Sequence, residues 1–156
     1  MKKFIISIDA GTTSNRAILF NLKGKPVFSS QKEFTQYFPK SGWVEHNPEE
    51  IWNTTKKVLK DVILKAKKLR GKVLAIGITN QRETTVLWDK KTGKTVYKAI
   101  VWQDRRQAEY CKKLKKQNKE TLIFNKTGLP IDSYFSGTKI KWILDNISQA
   151  RKLMNK

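Results

Sequence analysis

Cysteine and histidine are nearly absent from this 156-residue chain, which has one of each, Cys111 and His46. A lone cysteine excludes an internal disulfide framework and a metal site built on thiolates. A lone histidine leaves a Ser-His-Asp triad without an obvious home. Acidic residues are scarce too: 13 Asp and Glu stand against 33 Lys and Arg, for a formal net charge of +20. Long apolar runs are missing. The stretch after Met1-Lys2-Lys3 is only five residues, Phe4 to Ile8, too short for the core of a signal peptide. No segment approaches the length of a membrane span, so the chain reads as cytoplasmic. There is no Gly-x-Gly-x-x-Gly, and Gly93-Lys94 lacks both the earlier glycine and the strand-to-helix setting of a P-loop.

What is present suits one domain with a real core: 38% of residues are hydrophobic and five are Trp. The positive charge invites a nucleic-acid reading. Nearly all of it is lysine, however, spread along helix faces as in Lys56, Lys57, Lys60, Lys65, Lys67 and Lys68, then Lys112, Lys113, Lys115 and Lys116. Specific nucleic-acid sites lean on arginine, which makes bidentate contacts. No specific nucleic-acid partner is expected, only weak attraction to polyanions.

Periodicity gives an α/β order that begins with three strands. Phe4 to Ile8, Ala17 to Phe20 and Val27 to Phe34 are apolar or alternating runs separated by turn residues. A helix follows, with Asn47 as N-cap, Pro48 at the first position and Glu50 at the capping-box spacing. Its apolar stripe is Ile51, Trp52, Thr55, Val58, Leu59, Val62, Ile63 and Ala66, and it ends near Leu69 or Arg70. Val73 to Ile78 reads as a buried strand, and Thr85 to Trp88 and Tyr97 to Trp102 as further strands. Helices are predicted from after Asp104 to about Asn118, before a C-cap at Gly128, and over Ile140, Ile143, Leu144 and Ile147.

Two turns carry chemistry. The first strand ends at Asp9 and enters Ala10-Gly11-Thr12-Thr13-Ser14-Asn15-Arg16. Gly11 lets the backbone approach a ligand, and hydroxyls with backbone N–H groups suit phosphate oxygens. Arg16 can neutralise a transferring phosphoryl group, and Asp9 can hold Mg²⁺ through its water shell. The Val73 strand empties into Thr79-Asn80-Gln81-Arg82-Glu83. Ligands gather at the carboxyl ends of strands in open α/β sheets, and a fixed Arg beside a fixed Glu offers donors and acceptors to a small polyhydroxylated molecule. For an arbitrary Arg-Glu pair a solvated turn would be the default.

Together these segments, with Gly42-Trp43-Val44-Glu45-His46, Ala99-Ile100-Val101-Trp102-Gln103 and Tyr134-Phe135-Ser136-Gly137-Thr138-Lys139, resemble the FGGY family of sugar and polyol kinases, in particular its members that act on glycerol. The resemblance runs along essentially the whole chain. It implies an RNase H-like, actin-like fold, with a mixed sheet starting from three antiparallel strands, and ATP and Mg²⁺ as cofactors. It implies that Thr12, Thr13, Ser14 and Arg16 contact ATP phosphates and Asp9 the metal. Arg82, Glu83 and Tyr134 would hold glycerol hydroxyls while Trp102 packs on the carbon skeleton, although a buried Trp is as readily core. Family members are far longer and can be homo-oligomers. Residues 1–156 therefore correspond to part of a first domain, with the second domain and the catalytic Asp base expected beyond Lys156. Asp104 and Asp132 lie near the motifs but match no base, and the resemblance places His46 in a turn motif, where it implies a structural hydrogen bond. The alternatives are a non-catalytic polyol-binding remnant, half of a split kinase, or, more weakly, a polyanion binder.

Overall fold

The computed structural model describes residues 1–154. The chain forms two compact units, one of Met1–Thr35 with Glu49–Gln81 and the other of Gln36–Pro48 with Arg82–Lys156.

The first unit is a four-stranded sheet with one long helix. Strands β1 (Lys2–Ala10), β2 (Ser14–Asn21) and β3 (Pro26–Glu33) form an antiparallel meander, and β5 (Gly71–Thr79) adds parallel to β1, giving the order β3-β2-β1-β5. The expected three-strand antiparallel start and mixed sheet are therefore present. Alternation places Phe4, Ile6, Ile8, Ala17 and Leu19 on one face, fully covered. Helix α1 (Pro48–Lys68) supplies Val58, Val62 and Ala66 to the same core, with Leu59 and Ile63 packed at its margin. Burying each such aliphatic side chain contributes about 1.5–3 kcal/mol. Acidic Glu49 and Glu50 at the start of α1 and Lys65, Lys67 and Lys68 at its end complement the helix dipole. The Glu50 carboxylate also accepts the Thr35 N–H at 3.0 Å, tying the helix start to the chain leaving β3. After α1, Arg70 adopts φ 52°, and Gly71 lies so close to Phe4 that a Cβ would sit 2.1 Å from its ring. Only glycine permits that return into the sheet.

Two expectations fail here. Trp52 is 57% exposed, with the Lys56 ammonium over its ring, so it is no part of the core stripe. Strand β5 forms as expected but is not buried: Leu74, Ile76 and Ile78 are exposed, because among the described residues β5 is an edge strand, paired only with β1.

The second unit has little sheet. Strand β4 (Glu45–His46) pairs antiparallel with β6 (Ala99–Ile100). The predicted strands over Thr85 to Trp88 and Tyr97 to Trp102 shrink to this pair and the isolated bridges of Thr85 with Ile100 and Trp88 with Thr95. Helices α2 (Ala108–Lys116), α3 (Glu120–Thr127), α4 (Ser136–Asn146) and α5 (Ser148–Met154) follow. Gly128 caps α3 in a left-handed conformation, as its position predicts. Ile100, Ile143 and Ala150 centre this unit's core, flanked by Tyr97 and Trp142. No described helix is long and apolar enough to cross a membrane.

Candidate functional site

The phosphate-type residues sit on the β1–β2 hairpin. Asp9 is the register partner of Arg16 on β2 and of Thr79 on β5, so it stands at the carboxyl ends of two parallel strands. Its carboxylate accepts from the Arg16 guanidinium at 3.0 Å, and both side chains are a little under half exposed. An incoming anion could draw Arg16 away with little loss, since exposed pairs stabilise by at most about 1 kcal/mol. The turn between the strands closes through the Gly11 N–H on the Ser14 carbonyl at 3.0 Å. A Cβ on residue 11 would meet that carbonyl at 2.9 Å, so the turn demands glycine. Ser14 Oγ accepts from Gln31, and the Thr13 carbonyl accepts the Phe34 N–H.

Asn15, given no role by sequence reasoning, anchors this hairpin. It is fully buried, and its amide donates to the Ile51 carbonyl at 2.9 Å and to Thr54 Oγ1 at 2.6 Å on α1. For Mg²⁺ the fit is that of a single accessible carboxylate with hydroxyls beside it. Magnesium is held by one or two carboxylates, waters and substrate phosphates rather than an all-protein cage. Among the described residues no cluster of three or more His, Cys, Asp or Glu forms such a cage.

The polyol-type residues gather in the second unit. Glu83 takes φ 64°, an uncommon conformation for a non-glycine residue and one associated with functional turns. Its Oε2 accepts both the Ser136 N–H, at 2.9 Å, and the Ser136 hydroxyl, at 2.8 Å, at the start of α4. Ser136 thereby fixes the carboxylate. Arg82 is exposed and makes no hydrogen bond or ion pair among the described residues, leaving its whole fork of donors available. Trp102 and Tyr134 meet edge to face, with ring centroids 5.9 Å apart, and Tyr134 is braced by Phe135 at 5.1 Å. The Tyr134 N–H donates to Asp132 Oδ1 at 2.7 Å, and Arg105 reaches the same oxygen at 3.3 Å. Lys139, also given no role by sequence reasoning, is fully buried beneath this loop.

A dense charge cluster supports the Trp102 segment. Arg106 has no exposed side-chain surface; its Nε donates to both oxygens of buried Asp104, at 2.9 and 3.0 Å. Its Nη2 donates to Asp104 Oδ2 and to Glu45 Oε1, both at 2.8 Å. The guanidinium lies 3.8 Å from the Trp43 ring centre and 4.5 Å from that of Trp142. Tyr97 donates to Glu45 at 2.7 Å, and Asp104 accepts the Val44 N–H at 2.7 Å. Burial disfavours the Arg106 charge, yet its bonds to Asp104 and Glu45 outweigh that and raise its pKa; burial, with Glu45 beside it, also raises Tyr97. Asp104 is thus committed to structure. The signal was the charge within Trp102-Gln103-Asp104-Arg105-Arg106 and Trp43-Val44-Glu45, but nothing in the spacing says which acid meets which base. His46 is buried, with Nε2 2.6 Å from Gln36 Oε1, consistent with its structural expectation. Cys111 is buried and its pKa raised by burial, an unreactive setting.

Residues 4–156 match the FGGY family of carbohydrate kinases, N-terminal domain. The chain is 59% identical over 152 residues to glycerol kinase of Alkaliphilus metalliredigens and 60% over 151 residues to that of Oceanobacillus iheyensis. Each match takes in 97% of this chain and 30% of the relative, so the chain spans about a third of the length of these curated relatives. Among solved structures, Plasmodium falciparum glycerol kinase with ADP superposes with a TM-score of 0.92 at 34% identity, over 99% of this chain and 31% of the other. Gluconate kinase from Lactobacillus acidophilus, at 24% identity, shares the fold with a TM-score of 0.87, over 97% of this chain and 30% of its own.

Proposed function

Because the chain belongs to the FGGY family of carbohydrate kinases, we propose that it is the N-terminal portion of an ATP:glycerol 3-phosphotransferase, transferring the γ-phosphate of ATP to a terminal hydroxyl of glycerol. The observation that carries this reading is the pairing of an oriented acceptor with an unengaged donor: Glu83 is fixed by Ser136, and the neighbouring Arg82 fork is available. Adjacent hydroxyls of a polyol require that combination, since Arg only donates and ionised Glu only accepts. Tyr134 and Trp102 supply a hydroxyl and an apolar wall. Thr12, Thr13 and Ser14 meet phosphate oxygens, and Arg16, released from Asp9, neutralises charge on the transferring group. Bound through Asp9 and the phosphates, Mg²⁺ would offset charge on the nucleotide.

Neither of the acids near the motifs, Asp104 and Asp132, suits the part of the base. Asp104 is buried against Arg106, and Asp132 is occupied by the Tyr134 N–H and Arg105. We therefore assign residues 1–156 to part of a first domain, with deprotonation of the nucleophile falling to the remainder of a family-length chain.

The test is a coupled ADP-release assay with glycerol. The chain alone is expected to be silent, and activity to arise when it is mixed with the separately expressed C-terminal portion of the Alkaliphilus relative. Turnover by the chain alone, lost on Arg82→Ala, would reveal a base within residues 1–156. A mixture that stays silent, when the same C-terminal portion works with its own N-terminal partner, would refute the kinase reading.

A further inference from the structure

Lys139 lies on α4, one turn beyond Ser136, with no exposed surface. Lysine is almost never fully buried unless paired, yet its ammonium makes no ion pair among the described residues. It donates instead to three consecutive backbone carbonyls, those of Ser133 at 2.8 Å, Tyr134, and Phe135 at 3.4 Å. Three successive carbonyls aimed at one point mean that the backbone wraps around the ammonium. That wrapped segment presents the Tyr134 ring to Trp102 and leads into Ser136, whose two donors fix Glu83.

We propose that Lys139 is a positioning residue of the polyol half-site, shaping residues 133–135 so that Tyr134 and Ser136 stand where polyol contacts require them. The inference rests on the polyol reading of Arg82, Glu83, Trp102 and Tyr134. Packing alone does not account for a lysine here. Burial holds its pKa down to about 8 despite the opposing pull of Glu83 after β5, Asp104 after β6, Asp132 before α4 and Cys111 on α2. The fold carries a desolvated cation at neutral pH, and a methionine of similar length would fill the space without that cost. What methionine cannot do is gather three carbonyls.

In the 156-residue chain mixed with the C-terminal portion of the Alkaliphilus relative, Lys139→Met is expected to weaken glycerol binding roughly tenfold or more, since the carbonyls lose charge-assisted bonds. Stranding them also lowers the thermal midpoint, so the charge-keeping variant is what separates positioning from folding. Binding is read from the Trp102 indole and Tyr134 ring resonances during a glycerol titration. Lys139→Arg keeps a charge at every accessible pH and is expected to retain more affinity than Met.

A measurement on the unaltered chain stands beside the variants. Above about pH 8 the amine has two hydrogens for three carbonyls, so the ring contact between Tyr134 and Trp102 should loosen as the Lys139 Cε resonance titrates. A ring contact indifferent to that titration, or a Lys139→Arg chain that folds and yet binds glycerol no better than Lys139→Met, would overturn the proposal. Glycerol binding that needs Arg82 but is indifferent to Lys139 overturns this inference alone. Absence of glycerol binding in the unaltered chain mixed with the C-terminal portion of the Alkaliphilus relative overturns the polyol reading beneath it.

Discussion

Replacing Arg106 tests whether the buried charge cluster holds the second unit together. Arg106→Leu removes one cation from between two carboxylates, Asp104 and Glu45, that are themselves buried. The bonds from Val44 to Asp104 and from Tyr97 to Glu45 survive, but neither supplies positive charge. Breaking a buried pair in this way costs about 3–5 kcal/mol. Loss of the stack between Trp43 and Trp142 lies partly within that figure, being worth ~2 kcal/mol for a desolvated cation. Set against a whole-domain stability of roughly 5–15 kcal/mol, the change is large. Urea unfolding followed by tryptophan fluorescence should show the midpoint falling by about 2 M, taking a slope near 2 kcal/mol per M. Arg106→Lys should fall between Leu and the unaltered chain, because an ammonium cannot fork to Asp104 and Glu45 together. Tyr97→Phe, which leaves Arg106 in place, should cost only about 1 kcal/mol. A loss below about 1 kcal/mol in Arg106→Leu would refute the reasoning and demote the cluster to a replaceable contact.

Asn15→Ala should destabilise the first unit by about 1–3 kcal/mol, since the hairpin loses both bonds of the buried amide to α1, although the Ile51 carbonyl keeps the Thr54 and Thr55 hydroxyls; hydrogen exchange of the β1–β2 hairpin and α1 checks this, and unchanged protection would contradict it. DNA binding should be weak, indifferent to sequence and steeply salt-sensitive, as diffuse lysine charge requires. Filter binding of unrelated duplexes at rising salt measures it, and a marked preference for one sequence at physiological salt would restore the nucleic-acid reading.

The local patterns were legible because they depend on neighbours close in sequence. The meander of β1 to β3, the Pro48 start of α1 and the Gly128 cap all follow from alternation, capping and backbone chemistry within a few residues. Burial was less legible. The apolar run of β5 reads as interior, yet whether a strand is interior depends on what pairs beside it, which no pattern within the strand records. Trp52 fits the helical stripe by spacing but falls at its margin, where an indole can lie under Lys56 instead of in the core. In the candidate site the residue types were readable, whereas their supports were not. Glu45 meets Arg106 across 61 positions and Glu83 meets Ser136 across 53. Lys139 closes the Tyr134 motif in the sequence, but nothing in its spacing marks it as fully buried.

The open margin of β5 bears on how this chain behaves in a crowded solution. Leu74, Ile76 and Ile78 stand in water beside a groove of about 550 Å³ lined by Ile63, Ala66, Gly71 and Val73. A long apolar edge is a template for another chain, and the only charge within the strand is Lys72. Repulsion between molecules carrying +20 opposes such pairing. That repulsion reaches only about 8 Å at physiological ionic strength. Edge-to-edge association of this chain is therefore expected to rise with added salt or a polyanion and to fall in dilute buffer. The lysine excess that invites a nucleic-acid reading serves here as the molecule's protection against its own sheet.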